Sequence, residues 1–201
     1  MKEDTFADKN VFVLGGSGGI GAAICRELAP IVKTLVIHGG HESPRFSNLV
    51  VDLQTKTKVI KIVENLENFH NEDSLPTSIK ENLLHADIVI VTYGPFIQKS
   101  LCEMKKSEWN FLLSQNLELP GVIISTVLPY LKQKQWGRII LFGGTRTFQI
   151  NGYVSTAAYS AAKTGIASLV RSVAKEGASF GITCNGIFPG FTETEYVSNL
   201  I

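Results

Sequence analysis

Short apolar runs alternate along the chain with longer stretches whose apolar residues recur at helical spacing. "VFVLG" (11–15) predicts a buried strand, and Ile20, Ile24 and Leu28 then mark one face of a helix. "TLVIH" (34–38) predicts a second strand, followed by a helix over "RFSNLVVDLQ" (45–54) with Ser43-Pro44 as its cap and first position. "KVIKIV" (58–63) alternates with period two and predicts a third strand. A polar loop over 64–77 leads to a short helix around 78–85 and to the strand "DIVIVTYG" (87–94). Residues 107–133 form a long helical stretch that Pro120 and Pro129 interrupt. "GRIILFGG" (137–144) is a fifth strand, 157–179 a long helix, and "ITCNGIF" (182–188) a sixth strand. Apolar strands separated by helices predict an α/β domain, its parallel sheet covered on both faces.

Composition narrows the class. With 201 residues, 44% of them hydrophobic, the chain can bury the core of one soluble domain. A formal charge of +1 gives no reason to expect nucleic acid or an anionic membrane as partner. Cys25, Cys102 and Cys184 form no C-x-x-C pair and are not grouped with histidines, so no metal site is predicted and reduced thiols in a cytoplasmic protein fit. Residues 1–9 lack an apolar signal core, and no run reaches the ~18 apolar residues of a membrane span.

The glycines of "LGGSGGIG" (14–21) can be read in three registers. The P-loop register, Gly16 to Gly21, fails because Ala22 and Ala23 stand where Lys and Ser/Thr would bind phosphate and magnesium. Two dinucleotide registers remain, G-x-G-x-x-G on Gly16, Gly18 and Gly21, and the longer G-x-x-x-G-x-G on Gly15, Gly19 and Gly21. In both, glycine permits positive φ and close approach, while the helix N-terminus offers N–H groups to a pyrophosphate.

Tyr159 and Lys163 in "AAYSAAKTGIASLV" (157–170) stand four apart, so on a helix they share a face. Ala157, Ala158, Ala161, Ala162 and Gly165 leave that surface nearly bare, open to a backbone, a helix or a flat ring. With these motifs the chain resembles, over nearly its whole length, the short-chain dehydrogenase/reductase family, which includes the 3-oxoacyl-acyl-carrier-protein reductases.

The resemblance implies a Rossmann-type doubly wound sheet and the longer glycine register. It places cofactor contacts at Gly15, Ser17, Gly19, Ile20 and Gly21, with Leu14 where Thr is usual. Asn65 and Leu66, ending the third strand, hold the usual adenine-contact position. Gly94 is what survives of the family's N-N-A-G in Val91-Thr92-Tyr93-Gly94. Pro189, Gly190 and Thr194 lie in "CNGIFPGFTET", similar to the segment that closes over nicotinamide. "SEWNFLLSQNLELPG" resembles the helix with the catalytic Asn, here Asn116.

By the same resemblance Tyr159 is the acid/base for hydride transfer between nicotinamide and a carbonyl or alcohol carbon. A phenol's ordinary pKa of about 10 must fall, and a shift of ~3 units needs ~4 kcal/mol, which the Lys163 ammonium would help supply. Lys163 would also bind the nicotinamide ribose, and Asn116 would hold a water of the proton relay. The family's substrate-orienting Ser has no direct counterpart: spacing from Tyr159 falls on Arg146, alignment on the fifth strand on Gly144. Thr145 or Thr147 could supply the hydroxyl, and Thr145, nearer the strand end, is preferred; Arg146 is read as solvent-facing. The longer Tyr-to-Lys spacing of enoyl reductases would need a Tyr at Thr156 and is disfavoured.

NAD-binding relatives carry an acid at the end of the second strand for the ribose hydroxyls. Here the place reads His38-Gly39-Gly40-His41, with no carboxylate before Glu42. His38, His41 or Arg45 could bind a 2′-phosphate, so NADP(H) is predicted, with NAD(H) the alternative. Family members continue into a further helix that shapes the substrate pocket and a seventh strand. Ile201 precedes both, so a single domain over 1–201 without those elements is expected, in a chain taken as incomplete. The leading expectation is an NADP(H)-dependent reductase of a small carbonyl compound, such as a 3-oxoacyl thioester, forming a homodimer or homotetramer through helices 107–133 and 157–179. The alternative is a nicotinamide-binding sensor or scaffold with little catalysis; a nonenzymatic helix-mediated dimer module stands third.

Overall fold

Alternation along β1 (Asn10–Leu14) divides the molecule into two layers: Val11 and Val13 enter one apolar cluster, Phe12 and Leu14 the other. The computed structural model describes residues 6–69 and 74–192. β1 is followed by β2 (Thr34–Gly39), β3 (Lys58–Val63), β4 (Ile88–Val91), β5 (Gly137–Phe142) and β6 (Ile182–Ile187). All pairings are parallel, in the order β3-β2-β1-β4-β5-β6. The expected doubly wound α/β sheet is therefore the observed one.

α1 (Gly19–Leu28) and α2 (Pro44–Gln54) cover one face, packing Ala22, Cys25, Phe46 and Leu53 on Val11, Val13, Leu35 and Ile37. Ser43 caps α2 as its sequence implies, its Oγ accepting the Phe46 N–H at 3.2 Å, with Pro44 in the first turn. On the other face lie α3 (Thr77–Leu83), α4 (Lys106–Leu113), α5 (Leu119–Lys134) and α6 (Ala157–Gly177). They bury Ile79, Leu119, Ile123, Leu131 and Ile166 against Phe12, Leu14, Val89 and Leu141.

The expected interruption of the long helix takes a particular form. Pro120 has no N–H for the carbonyl of Asn116, and just before it the helix widens into a π turn over Ser114–Glu118, where the Leu119 N–H donates to Ser114 O. Pro129 causes no break: the carbonyl it leaves without a donor belongs to Ser125, which is exposed and can be hydrated. The stretch Lys106–Lys134 is long and apolar enough to cross a membrane, yet 56% of its most apolar window is buried inside this domain.

At the foot of the sheet Asp87 is buried and paired: it accepts the Asn10 N–H at 2.8 Å and binds the Lys134 ammonium. At the opposite edge the strand order reverses between β1 and β4, whose carboxyl ends lie side by side with Leu14 opposite Val91. Such a reversal leaves a crevice outside the strand ends, where ligands bind in open α/β sheets. Replacing Ile123, fully buried between α5 and the sheet, by Ala is expected to lower unfolding free energy by about 2–5 kcal/mol, read from urea denaturation.

Candidate active site at the carboxyl edge of the sheet

The crevice begins where β1 turns out of the sheet. Gly15 has φ +79°, and a Cβ there would stand 2.7 Å from the Tyr93 N, so only glycine fits both conformation and space. The bend closes through Gly18 N–H to Gly15 O at 3.1 Å and Ser17 N–H to His38 O at 3.3 Å. A Cβ on Gly21 would collide with the Gly15 carbonyl, which seats α1 directly against the bend. Gly19, Ile20 and Gly21 thus open a helix whose N-terminus carries neither a side-chain cap nor an acid, a setting that suits a pyrophosphate.

α6 brings Tyr159 and Lys163 to the neighbouring strand ends. Lys163 is buried, 4% exposed, and its ammonium donates to Phe142 O, the last residue of β5, at 3.0 Å. Burial pushes its pKa down to about 8, so it is mostly protonated at neutral pH. The Lys163 Nζ lies 5.8 Å from the centre of the Tyr159 ring. That ring meets Phe96 edge-on at 4.9 Å, and its hydroxyl stands 3.4 Å from where a Cβ on Gly144 would be.

Asn116 joins them from the π turn. Its Nδ2 donates to Pro95 O and Leu112 O, while its buried Oδ1 has no partner among the described residues. A Cβ on Gly94 would lie 2.5 Å from this Oδ1 and 2.8 Å from Lys163 Nζ, so the glycine keeps the amide and the ammonium within reach of one small space. The structure therefore gathers Tyr159, Lys163, Asn116 and Gly94 beside the bend that holds Gly15 to Gly21. Backbone amides, a bare glycine surface and an unpartnered amide oxygen fit a nicotinamide dinucleotide.

Other expected residues are placed differently. His38 is corrected as a phosphate ligand: the ring is fully buried within β2, and both nitrogens are committed, Nδ1 to the Gly15 N–H at 3.3 Å and Nε2 to Glu64 O at 2.9 Å. β2 runs on to Gly39, so His38 lies inside the strand with its side chain fully buried. His41 and Arg45 are exposed after β2. Asn65 is exposed and caps the Glu67 N–H at 2.8 Å, whereas the Leu66 side chain sits in the core and its carbonyl accepts from Gln115 Nε2 at 2.8 Å.

Thr145 is exposed and donates to Pro189 O at 3.1 Å, which ties the end of β5 to the segment carrying Pro189 and Gly190. The buried hydroxyl on the turn is that of Thr147, accepting from Gly144 N and donating to Gly144 O, both at 2.9 Å. Arg146 is exposed, at φ +60° in that turn. Thr194 lies outside the described residues.

Two residues at the site, Gln115 and Phe96, are not singled out by motif or spacing. A signal for Gln115 exists: Ser114-Gln115-Asn116 sets three consecutive polar residues in the helical stretch, and each keeps a buried polar atom without a partner among the described residues.

A model of the short chain dehydrogenase family matches residues 9–201. The chain belongs to that family. Among curated relatives, the 3-oxoacyl-[acyl-carrier-protein] reductase of Escherichia coli (strain K12) is 31% identical over 191 residues, covering 94% of this chain and 76% of its own. Of solved structures, a 3-oxoacyl-[acyl-carrier protein] reductase from Brucella melitensis superposes with a TM-score of 0.85 at 20% identity, over 99% of this chain and 75% of that one. A metagenomic short-chain oxidoreductase in complex with NADP gives 0.77 at 22% identity, over 92% and 84%. Both superpositions carry the short-chain dehydrogenase fold to this chain.

The buried lysine leaves a measurable trace in stability. Its ammonium is disfavoured in the folded state, so the penalty is full below about 8 and lifts as pH rises toward the ordinary 10.5. Relative to Lys163→Met, the wild type is expected to gain stability across that interval, read from urea midpoints at successive pH values.

Proposed function

We propose that this chain is an NADP(H)-dependent oxidoreductase that interconverts a small carbonyl compound and its alcohol. The observation that carries the reading is the convergence of Tyr159, Lys163 and Asn116 on the space beside Gly94, next to the Gly15–Gly21 bend. The cofactor supplies the hydride. Gly19, Ile20 and Gly21 would meet its phosphates with backbone N–H groups and the positive end of α1, on a bend that Gly15 shapes. Lys163 would bind the nicotinamide ribose, and Pro189 and Gly190 would lie on the nicotinamide side.

Tyr159 gives its hydroxyl proton to the carbonyl oxygen in reduction and takes it back in oxidation. Lys163, held protonated against Phe142 O, stabilises the negative charge left on the phenol oxygen. Asn116 Oδ1, unpartnered within the fold, accepts from a water that refills the proton. 3-Oxoacyl thioesters are the first substrates to test, in keeping with the Escherichia coli relative.

The segment after β2 favours the phosphate form of the cofactor. The nearest carboxylate, Glu42, is bound to the Lys61 ammonium and the Ser47 hydroxyl, both at 2.6 Å, so its charge is already paired. His41 and Arg45 stand exposed on the same segment.

A second reading, a nicotinamide-binding sensor with little turnover, draws on the two threonines. Thr145 donates to Pro189 O and Thr147 to Gly144 O, so neither hydroxyl proton is open to a substrate oxygen beside Tyr159.

A panel of ketones, aldehydes and 3-oxoacyl thioesters with NADPH decides between them. Turnover that falls about 10²–10⁴-fold in Tyr159→Phe, with NADPH binding retained, is the expected result; binding without turnover in the wild type favours the sensor. NADPH is expected to bind more tightly than NADH. Arg45→Ala should weaken NADPH about tenfold and leave NADH unchanged in calorimetric titrations.

A further inference from the structure

We infer that His38 is a positioning residue for the cofactor site: its neutral imidazole ties the Gly15 amide to the Glu64 carbonyl and holds the glycine bend in register with the end of β3. The inference rests on the dinucleotide reading of that bend. Its geometric basis is the hydrogen-bond direction. A backbone N–H can only donate, so the Gly15 contact makes Nδ1 an acceptor, and the proton must sit on Nε2, facing Glu64 O. One tautomer satisfies both ends.

The imidazolium cannot do this. A second proton on Nδ1 would face the Gly15 N–H, donor against donor, in a site with no exposed surface where water could intervene. The bend has no slack to absorb the change: Gly15 is at φ +79°, its carbonyl accepts from Gly18 N and lies against Gly21, and Ser17 N–H is anchored to the His38 carbonyl. Loss of the Nδ1 contact therefore moves the amides that would meet the phosphates.

The titratable groups against the ring are few. Glu64, from the end of β3, favours the charged form, and the Tyr93 phenol, edge-on at 6.2 Å, is itself pushed up to about 12 by burial. The bend 15–21 contains no ionisable side chain. Burial outweighs Glu64 and lowers the His38 pKa from its ordinary 6.5. Because the folded state disfavours the charged ring, the stabilisation is complete above about 6.5 and is lost as pH falls through the lower folded value.

The test compares NADPH Kd between pH 8 and 5 for the wild type, His38→Gln and His38→Leu. It also reads the His38 ring ¹⁵N shifts of the full, ligand-free chain by NMR. Glutamine can accept and donate at one amide but does not titrate. His38→Gln is expected to bind nearly as well as the wild type at pH 8, and to lack the extra weakening that the wild type shows as its ring charges. The 2′-phosphate of NADPH titrates in all proteins alike and cancels in the comparison. His38→Leu should bind about tenfold more weakly at every pH. Wild-type NADPH affinity in His38→Leu at pH 8 would overturn the inference, as would a ring protonated on Nδ1 at pH 8. No NADPH binding by the wild type at pH 8 would sink the dinucleotide reading instead, while the ring shifts still report whether the Gly15–His38–Glu64 tie exists.

Discussion

The carboxyl edge of the sheet depends on how closely β1 passes β4. The Thr92 and Tyr93 N–H groups both donate to Leu14 O, at 2.9 and 3.2 Å, so the two strand ends are laced together just where β1 turns away. No side chain can stand at Gly15 without parting them. This approach sets the distance between the glycine bend and the next segment of chain, and it places Gly94 under Asn116 and Lys163. The phosphate-binding half of the site and the proton-handling half are positioned by one backbone contact.

On the proton-handling side, the fold tolerates what a core normally rejects. A buried ammonium is held by a single backbone carbonyl, and three consecutive helical residues keep polar atoms without partners. Each such atom lowers stability. The Asn116 Oδ1 and the Lys163 ammonium both border the space beside Gly94, as polar groups do in a binding or catalytic site before its ligand arrives.

Much of this is legible in the sequence because the sheet is buried on both faces. The apolar runs are continuous and short, and their ends coincide with strand ends within a few residues; β3 matches at both ends. Helix starts with chemical caps are equally readable, as at Ser43-Pro44. What periodicity cannot reveal is a partner distant in sequence. His38 reads as the last residue before a loop, yet the strand runs one residue further and the ring is buried between Gly15 and Glu64. The choice between Thr145 and Thr147 turns on the left-handed conformation of Arg146, which spacing alone does not specify. The pairing of Gln115 with Leu66 needs the π turn, whose geometry comes from Pro120 acting on the residues before it.

That π turn also changes the phase of the helix it interrupts. An inserted residue rotates everything beyond it by about 100° relative to an unbroken α-helix. α4 packs on α6, while α5 packs on α3 and β5 and also reaches α6. Although Lys106–Lys134 has the reach of a bilayer-crossing rod, its two halves pack as separate wedges, and a deletion restoring regular winding would misalign one of them.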